Sequence, residues 1–380
     1  MTTTSSPVTS VPLLDLRAQY AALRDDILPR VTEVLDSQAV CNGPACQTLE
    51  QEVADYAQVA HAVACSSGTD ALILALMGLN IGCGDEVITS PFTFFATAGS
   101  LWRQGIKPVF ADIDPDTFNL DPAKLEDKIT PQTKAIMPVH LFGQMADMDG
   151  IEAVARAHDL VVIEDAAQAI GATYRGDPAG KRSAATALSF YPTKNLGGAG
   201  DGGMVLTPDS ELADRMRMFR NHGAQAGEGG RYFHEEVGGN FRMDTLNAAY
   251  LSVKLRHLDT WHDARRHNAA RYDELLADLP KLQTPVIASG CSSIYNQYVV
   301  RTPQRDALMA HLRAHQIGCG IYYPLSLHEQ QCFAPLGYRQ GDFPHSERAA
   351  DEVLALPIYP ELEEPQLRYV ADTIRGFFKA

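Results

Sequence analysis

No apolar run in the 380-residue chain reaches the roughly 18 residues that a membrane-spanning helix needs, so a membrane protein is not expected. The opening stretch "MTTTSSPVTSVP" has neither a basic n-region nor an apolar h-region. It does not read as a secretory signal, and residues 1–10 are expected to form a disordered tail. Positive charge is also short. Lys and Arg number 32 against 47 Asp and Glu, a formal net charge of −15. That balance argues against nucleic-acid binding, which needs a basic footprint. It leaves room for an anionic small substrate, because a local pocket field can oppose the net charge. Cysteines are few and unpaired in pattern: Cys41, Cys46, Cys65, Cys83, Cys291, Cys319 and Cys332. An odd, scattered set fits reduced thiols in a cytoplasmic protein. Cys41 and Cys46 lack the second pair that a zinc site requires. His257, His262 and His267 are spaced so that they drift around a helix instead of sharing a face. No metal is expected. Internal repeats and low-complexity linkers are absent too.

What is present is apolar content of 45%, enough for two domains or one large domain with a satellite. Short β-branched runs alternate with helical patterns. "HAVAC" (61–65), "DEVITS" (85–90), "KPVFADI" (107–113), "AIMPVH" (135–140), "LVVIED" (160–165), "ATALSF" (185–190) and "GGMVLT" (202–207) read as strands. Several are apolar almost throughout, as suits strands buried on both faces of a parallel sheet. "DMDGIEAVARAHD" (147–159) carries helix spacing. The alternation predicts an α/β domain with helices on both faces. After about residue 245 the pattern changes to long helices, a strand in "YNQYVVRT" (295–302) and a helix in "RDALMAHLRAHQI" (305–317). The expected division is a large domain over 11–245 and a smaller α+β domain over 246–380. Arg265, Arg266 and Arg271 lie among acidic residues and read as a solvated helix face.

Four stretches carry chemistry. In "CSSGTDALILAL" (65–76) a strand ends, small residues turn the chain, and an apolar helix starts near Gly68. A helix N-terminus offers free N–H groups and a positive dipole end, which suits a phosphate. Ordinary capping by Ser66 or Ser67 accounts for the same residues. No "GK[ST]" follows, so this is not a Walker loop. In "LVVIEDAAQAIGA" (160–172) an apolar strand ends in Glu164–Asp165. Ligands of open α/β sheets sit at the carboxyl ends of strands. A carboxylate buried there wants a protonated nitrogen nearby, from the protein or from a cofactor. Gln168, read as lying in a first helical turn, points to the same region. In "LSFYPTKNLGGAGDGG" (188–203) Lys194 follows a strand and precedes a glycine run. Desolvation at such a site lets a lysine lose its proton and form a Schiff base. An exposed loop lysine is the plainer alternative. In "PFTFFATA" (91–98) the phenylalanines suit core packing, and one of them suits stacking on a planar ring.

A phosphate cradle, a carboxylate, a Schiff-base lysine and an aromatic plate together describe a pyridoxal 5'-phosphate site. Here the chain resembles the DegT/DnrJ/EryC1/StrS sugar aminotransferases, within the fold-type-I pyridoxal phosphate enzymes. "VPLLDLRAQY", "SSGTDAL", "GDEVITSPFTFFATA", "IEDAAQAIGA", "SFYPTKNLG", "GDGGM" and "VGGNFRMDTLNAAYL" appear in order, and the resemblance covers about residues 11–380. It implies Lys194 as the catalytic lysine that holds the cofactor aldehyde. It implies Asp165 as the partner of the pyridinium nitrogen and Gln168 beside the phenolic oxygen. Gly68 and Thr69 would give backbone N–H groups to the phosphate, and Ser189 its hydroxyl. Phe94 would stack on the ring. Asn240 would reach the phosphate of the other subunit, which implies a homodimer with shared active sites.

The resemblance further implies amino transfer from a donor, L-glutamate in most of the family, to a keto-sugar linked to a nucleoside diphosphate. A 3-keto sugar is favoured over a 4-keto one. Arg242, Tyr322 and His328 are the substrate-side candidates. Arg242 either meets a sugar carboxylate or pairs with Asp244. The rival readings are a pyridoxal phosphate-dependent sugar dehydratase, which carries histidine where Lys194 stands, a regulator with an aminotransferase-like fold, and a nucleotide-binding protein without the cofactor.

Overall fold

The computed structural model describes residues 8–224 and 230–379. The first seven residues of the expected tail lie outside these. Val8 packs against the C-terminal core.

Seven strands form the main sheet: β1 (His61–Cys65), β2 (Glu86–Thr89), β3 (Lys107–Phe110), β4 (Thr133–Met137), β5 (Val161–Asp165), β6 (Ala185–Ser189) and β7 (Gly203–Thr207). Their order across the sheet is β1-β7-β6-β5-β4-β2-β3. The pairs from β3 through β6 are parallel, and β7 runs antiparallel to both of its neighbours. Every strand expected from the sequence forms; β1 has the expected ends, β4 starts two residues earlier and ends three earlier, and the others lose one to three residues at one or both ends.

Period-two alternation explains why these strands read as unbroken apolar runs. In β1, Ala62 and Ala64 face one core and Val63 and Cys65 the other. In β5, Val162 and Ile163 divide the same way. A strand covered on both faces has no solvent side to mark with polar residues. One face is covered by α2 (Pro44–Ala57), α5 (Met148–Ala157) and α7 (Thr245–Leu255), the other by α3 (Gly68–Gly78), α4 (Ala96–Arg103) and α6 (Ser210–Arg220). Helix α1 (Leu16–Ser37) packs on α7. Asp15 caps α1 by accepting hydrogen bonds from the N–H groups of Arg17 and Ala18. Helix α3 has no polar face over Ala71–Leu76 because both of its sides are buried.

The C-terminal core joins α8 (Leu258–Leu276), α9 (Arg305–Ala314) and α11 (Glu364–Lys379) to an antiparallel pair, β8 (Tyr298–Arg301) with β9 (Val353–Leu356). Helix α10 (Pro344–Glu352) leads into β9. The expected domain boundary at 245/246 falls at the start of α7, yet Ala248 and Leu251 pack with the main sheet. We place the change-over inside α8. Leu258 and Trp261 belong to the sheet's core, while Ala269, Tyr272 and Leu276 belong to the C-terminal one. Val11 pairs with Ile317 and is buried in the C-terminal core, so the N-terminal segment crosses to the smaller unit. Periodicity marks helices but not the core each one joins.

Arg265 corrects the reading of a solvated basic face. It is 3% exposed, whereas Arg266 and Arg271 do pair with surface acids, Asp263 and Glu364.

Ile163, 0% exposed at the centre of the sheet, offers a direct test of the two-faced core. Ile163→Ala is expected to lower unfolding free energy by about 2–5 kcal/mol, read from the shift in denaturant midpoint.

Candidate active site

Strand β5 ends in two adjacent carboxylates, and the pleat sends them to opposite faces. Both are buried, at 0% for Glu164 and 4% for Asp165. Glu164 is well provided for. Its Oε2 accepts from Nε2 of His140 at 2.6 Å and from the Gly180 N–H at 3.2 Å, and its Oε1 accepts from the Thr186 hydroxyl at 3.3 Å. The Ala146 N–H donates to Nδ1 of His140, so the proton of that ring sits on Nε2 and points at Glu164. Burial pushes the Glu164 carboxyl up, but its hydrogen bonds, that from His140 foremost, outweigh it and hold the group below the usual carboxylate range.

Asp165 differs. Its Oδ2 accepts from the Thr97 hydroxyl at 2.7 Å and its Oδ1 from the Ala167 N–H at 3.2 Å. Among the described residues no cation bonds to it. Burial therefore dominates and pushes its carboxyl above the usual range, opposed by Thr97, Ala167 and the charge of Lys194. A buried carboxylate with two donors and no cation is a site that a protonated ring nitrogen would complete.

Lys194 lies in the turn after β6. It is half-buried, and among the described residues its amine has no hydrogen-bond or ion-pair partner. Desolvation lowers its pKa from 10.5 to about 8, and the charge of Asp165 works the other way. Its loop is clasped from below. Lys254, 2% exposed on α7, donates to the Gly197 carbonyl at 2.5 Å. Asn247 accepts from the Ala199 N–H at 2.9 Å and donates to the Asp201 carbonyl at 2.9 Å. A Cβ at Gly197 would stand 2.1 Å from the Pro192 carbonyl oxygen, so the loop closes this tightly only with glycine there.

The N-terminus of α3 faces the end of β6. Ser67 caps the helix, accepting from the Asp70 N–H at 3.1 Å, and the Asp70 carboxylate accepts from both Ser66 and Ser67 hydroxyls. Capping and anion binding are thus compatible, because the N–H groups of Gly68 and Thr69 keep no acceptor among the described residues. A Cβ at Gly68 would lie 2.7 Å from Cβ of Ser189 and 3.0 Å from its Oγ. The structure therefore brings Gly68, Thr69 and Ser189 into one small cradle of donors.

Gln168 occupies a turn, not a helix, which corrects the reading of a first helical turn. The chain reverses at Gly171, φ +86°, where Tyr56 and His262 leave no room for a side chain. Gln168 accepts from the Phe142 N–H at 2.7 Å and donates to the Tyr323 hydroxyl at 3.0 Å. Phe94 is 56% exposed with its ring centroid 6.1 Å from that of Tyr323. Phe92, by contrast, is core.

The other candidates are scattered. Asn240 is exposed and bridged to Asn221, and the carbonyl of the next residue, Phe241, accepts from the Ser66 N–H. Arg242 donates to Asn221 Oδ1 at 2.8 Å and, among the described residues, not to Asp244. Tyr322 is half-buried beside Tyr323, with its ring centroid 6.0 Å away. The His328 side chain is 0% exposed, with Nε2 on Glu347 at 3.1 Å and the ring edge-on to Phe343. In this arrangement it presents no surface to a ligand.

Thr97, Tyr323, His140, Asn247 and Lys254 escaped the reading of the sequence. Thr97 sat inside a stretch already singled out, "PFTFFATA", and Tyr323 directly follows the candidate Tyr322. Lys254 carried a signal of its own, the lone charge in "TLNAAYLSVKL".

A mostly parallel α/β sheet whose carboxyl edge gathers a desolvated lysine, an unpaired buried carboxylate and a cradle of free N–H donors has the make-up of an enzyme site for a phosphorylated ligand. A profile of the DegT/DnrJ/EryC1/StrS aminotransferase family matches residues 21–375, and the chain belongs to this family. It is 49% identical to a pleiotropic regulatory protein of Geobacillus stearothermophilus, across 97% of this chain and 99% of the relative. It is 45% identical to the UDP-N-acetyl-3-dehydro-alpha-D-glucosamine 3-aminotransferase of Acidithiobacillus ferrooxidans, across 97% and 98%. The fold superposes on S. venezuelae DesV, solved in complex with a ketimine intermediate, with a TM-score of 0.95 at 43% identity, covering 99% of this chain and 100% of DesV. The family is pyridoxal phosphate-dependent, and the chain is a sugar aminotransferase. Among the described residues no helix is long and apolar enough to cross a membrane.

The depressed pKa of Lys194 gives a pH test on the protein without cofactor. Its amine is protonated below about 8 and neutral above. Labelling of Lys194 by an amine-directed reagent, followed by mass spectrometry, should rise through about pH 8, while surface lysines rise near about pH 10.4.

Proposed function

We propose that this chain binds pyridoxal 5'-phosphate and moves an amino group from L-glutamate to a nucleotide-linked 3-keto sugar. The observation that carries the reading is the pair at the carboxyl edge of the sheet: Asp165 buried without a cation, and Lys194 desolvated without an anion bonded to it. The residues fit the cofactor. Asp165, supported by Thr97, would hold a positive charge at the ring nitrogen. Gly68, Thr69 and Ser189 would hold the phosphate. Phe94 would cover one face of the ring, and Gln168, fixed by Phe142 and Tyr323, would lie along its edge. Lys194 would hold the aldehyde.

When bound, the cofactor supplies an electron sink for the carbon that carries the amino group. Lys194 acts on both sides of the exchange. Its neutral amine takes a proton from the α-carbon of the donor, and its protonated form returns one to the former carbonyl carbon of the sugar. A pKa of about 8 keeps both forms accessible near neutral pH. The charge of Asp165 would keep a ring nitrogen there protonated.

The choice of a 3-keto sugar is supported by the Acidithiobacillus ferrooxidans relative, whose name specifies a 3-dehydro sugar. The Geobacillus stearothermophilus relative, named a regulatory protein, supports a regulatory role beside amino transfer as a second reading. Incubation with glutamate and a panel of nucleotide-linked 3-keto and 4-keto sugars tests the substrate. Amino-sugar formation from 3-keto sugars supports the proposal, and formation from 4-keto sugars alone overturns it.

We also propose a cytoplasmic homodimer with shared sites. Tyr232, Phe233 and Val237 are exposed apolar residues on the segment leading to Asn240, and they support burial against a second copy. Asn240 would complete the phosphate site of the partner. Arg242 and Tyr322 would stand on the substrate side, whereas His328, turned onto Glu347 and Phe343, would not.

Lys194→Ala is expected to lose turnover and the visible band that borohydride abolishes in wild type. Asp165→Asn should keep the fold, read from a thermal midpoint of the cofactor-free protein no lower than that of wild type, and lose about 100-fold or more in kcat. For the shared site, Lys194→Ala is mixed with Asn240→Ala, which must be impaired alone. Activity should partly return, because one site of the heterodimer then carries both lesions and the other carries neither. No recovery would mean that Asn240 acts within its own chain.

A further inference from the structure

Helix α9 ends in a pair of histidines that the site described above does not use. His311 lies in its last turn and His315 is its C-cap. A spacing of four residues sets both rings on one face, one turn apart. His257, His262 and His267, five apart, drift around their helix, and this pair does not. The two ring centroids are 4.4 Å apart. His311 is half-buried against Phe377 of α11, with centroids 5.4 Å apart, and His315 is exposed. Among the described residues the His311 ring makes no hydrogen bond, and neither ring forms an ion pair.

The turn that carries them is fixed. The His315 N–H reaches the His311 and Leu312 carbonyls, and Tyr369 of α11 donates its hydroxyl to the His315 carbonyl at 3.1 Å. Nδ1 of His315 stands 2.8 Å from the His311 carbonyl oxygen. A carbonyl only accepts, so in the neutral ring Nδ1 carries the proton and Nε2 the lone pair. Metal-ligating histidines are oriented in this way, with one nitrogen donating to a carbonyl or carboxylate and the other left for the ion. The spacing agrees. Two imidazoles in adjacent positions on one ion, each nitrogen about 2.0–2.1 Å from it, put their ring centres roughly 4.5 Å apart.

We propose that His311 and His315 form a two-histidine site for a late first-row divalent cation. Among the described residues no third histidine, cysteine or carboxylate joins them, so water fills the other positions. Imidazole nitrogens select Cu²⁺, Ni²⁺ and Zn²⁺, with Cu²⁺ the tightest, over Mg²⁺ and Ca²⁺, which take oxygen ligands. The two nitrogens meet only while the end of α9 stays wound, so a bound ion stabilises the folded turn. Leu308 and Leu312 root this helix in the C-terminal core, and the site does not depend on the aminotransferase reading.

Calorimetry with Ni²⁺ on the full-length chain tests the site. Wild type should bind one ion per chain at this pair. His315→Gln and His311→Gln should each weaken that binding about tenfold or more. Both changes fall on or near the surface, and the thermal midpoints in chelator should match that of wild type. Added Ni²⁺ should raise the midpoint of wild type and of neither variant. Cu²⁺ at one ion per chain should give an electron paramagnetic resonance signal split by two nitrogens, reduced to one or lost in each variant. Mg²⁺ should give no heat of binding at this pair. Equal Ni²⁺ affinity in wild type and His315→Gln, or a wild-type Cu²⁺ signal that neither variant alters, would overturn the proposal and leave two rings packed on each other and on Phe377.

Discussion

The site turns on a carboxylate buried at the end of β5 with no cation bonded to it. Asp165 and Glu164 are neighbours in sequence and equally hidden, yet their surroundings divide their roles. Glu164 is saturated by His140, Gly180 and Thr186, and it ties the sheet to the segments around it. Asp165 is held in position by Thr97 and Ala167 but left electrostatically incomplete. Such a group costs stability in the free protein and gains it back when a positive charge arrives. Strand β6, parallel to β5, leads directly to the Lys194 turn, so the sheet itself sets the carboxylate and the amine on one edge.

The amine depends on a second set of buried charges. Lys254 reaches under the Lys194 loop to the Gly197 carbonyl, and its ammonium lies over the rings of Tyr250 and Trp261. Arg265, a little further along the helical stretch, bonds the carbonyls of Tyr295 and Ile358 in the smaller unit. Helices α7 and α8 thus anchor the reactive loop at one end and the C-terminal core at the other. These cations satisfy backbone carbonyls where a carboxylate would pair with them and fix a different geometry. The loop stays ordered while the amine of Lys194 stays free.

Much of this was legible in the chain. Strand–helix alternation read out the main sheet, since both of its faces are apolar. "SSGTDAL", "IEDAAQ" and "SFYPTKN" each end a strand, and ligands of such sheets gather at strand ends. Local chemistry also named the kinds of group: small residues for a cradle, a carboxylate, a lysine before glycines. The choice of Asp165 over Glu164 needed the family resemblance in the sequence. In the structure it follows from which face of the pleat each side chain takes.

Tertiary structure decided the rest, because burial and partnership are relations between distant segments. Thr97 supports Asp165 across 68 positions, Gln168 meets Tyr323 across 155, and Lys254 meets Gly197 across 57. Nothing local to any of these residues marks its partner. Arg265 looked like one more surface cation among acidic neighbours, and a helix repeat alone does not say which face is covered twice. His328 was a substrate-side candidate, and the fold turned it onto Glu347 and Phe343. The sequence by itself determined the order of elements, the apolar faces and the chemical types at the strand ends. Only the folded chain decided which charges lost their water without gaining a counter-ion, and that is the property on which the chemistry depends.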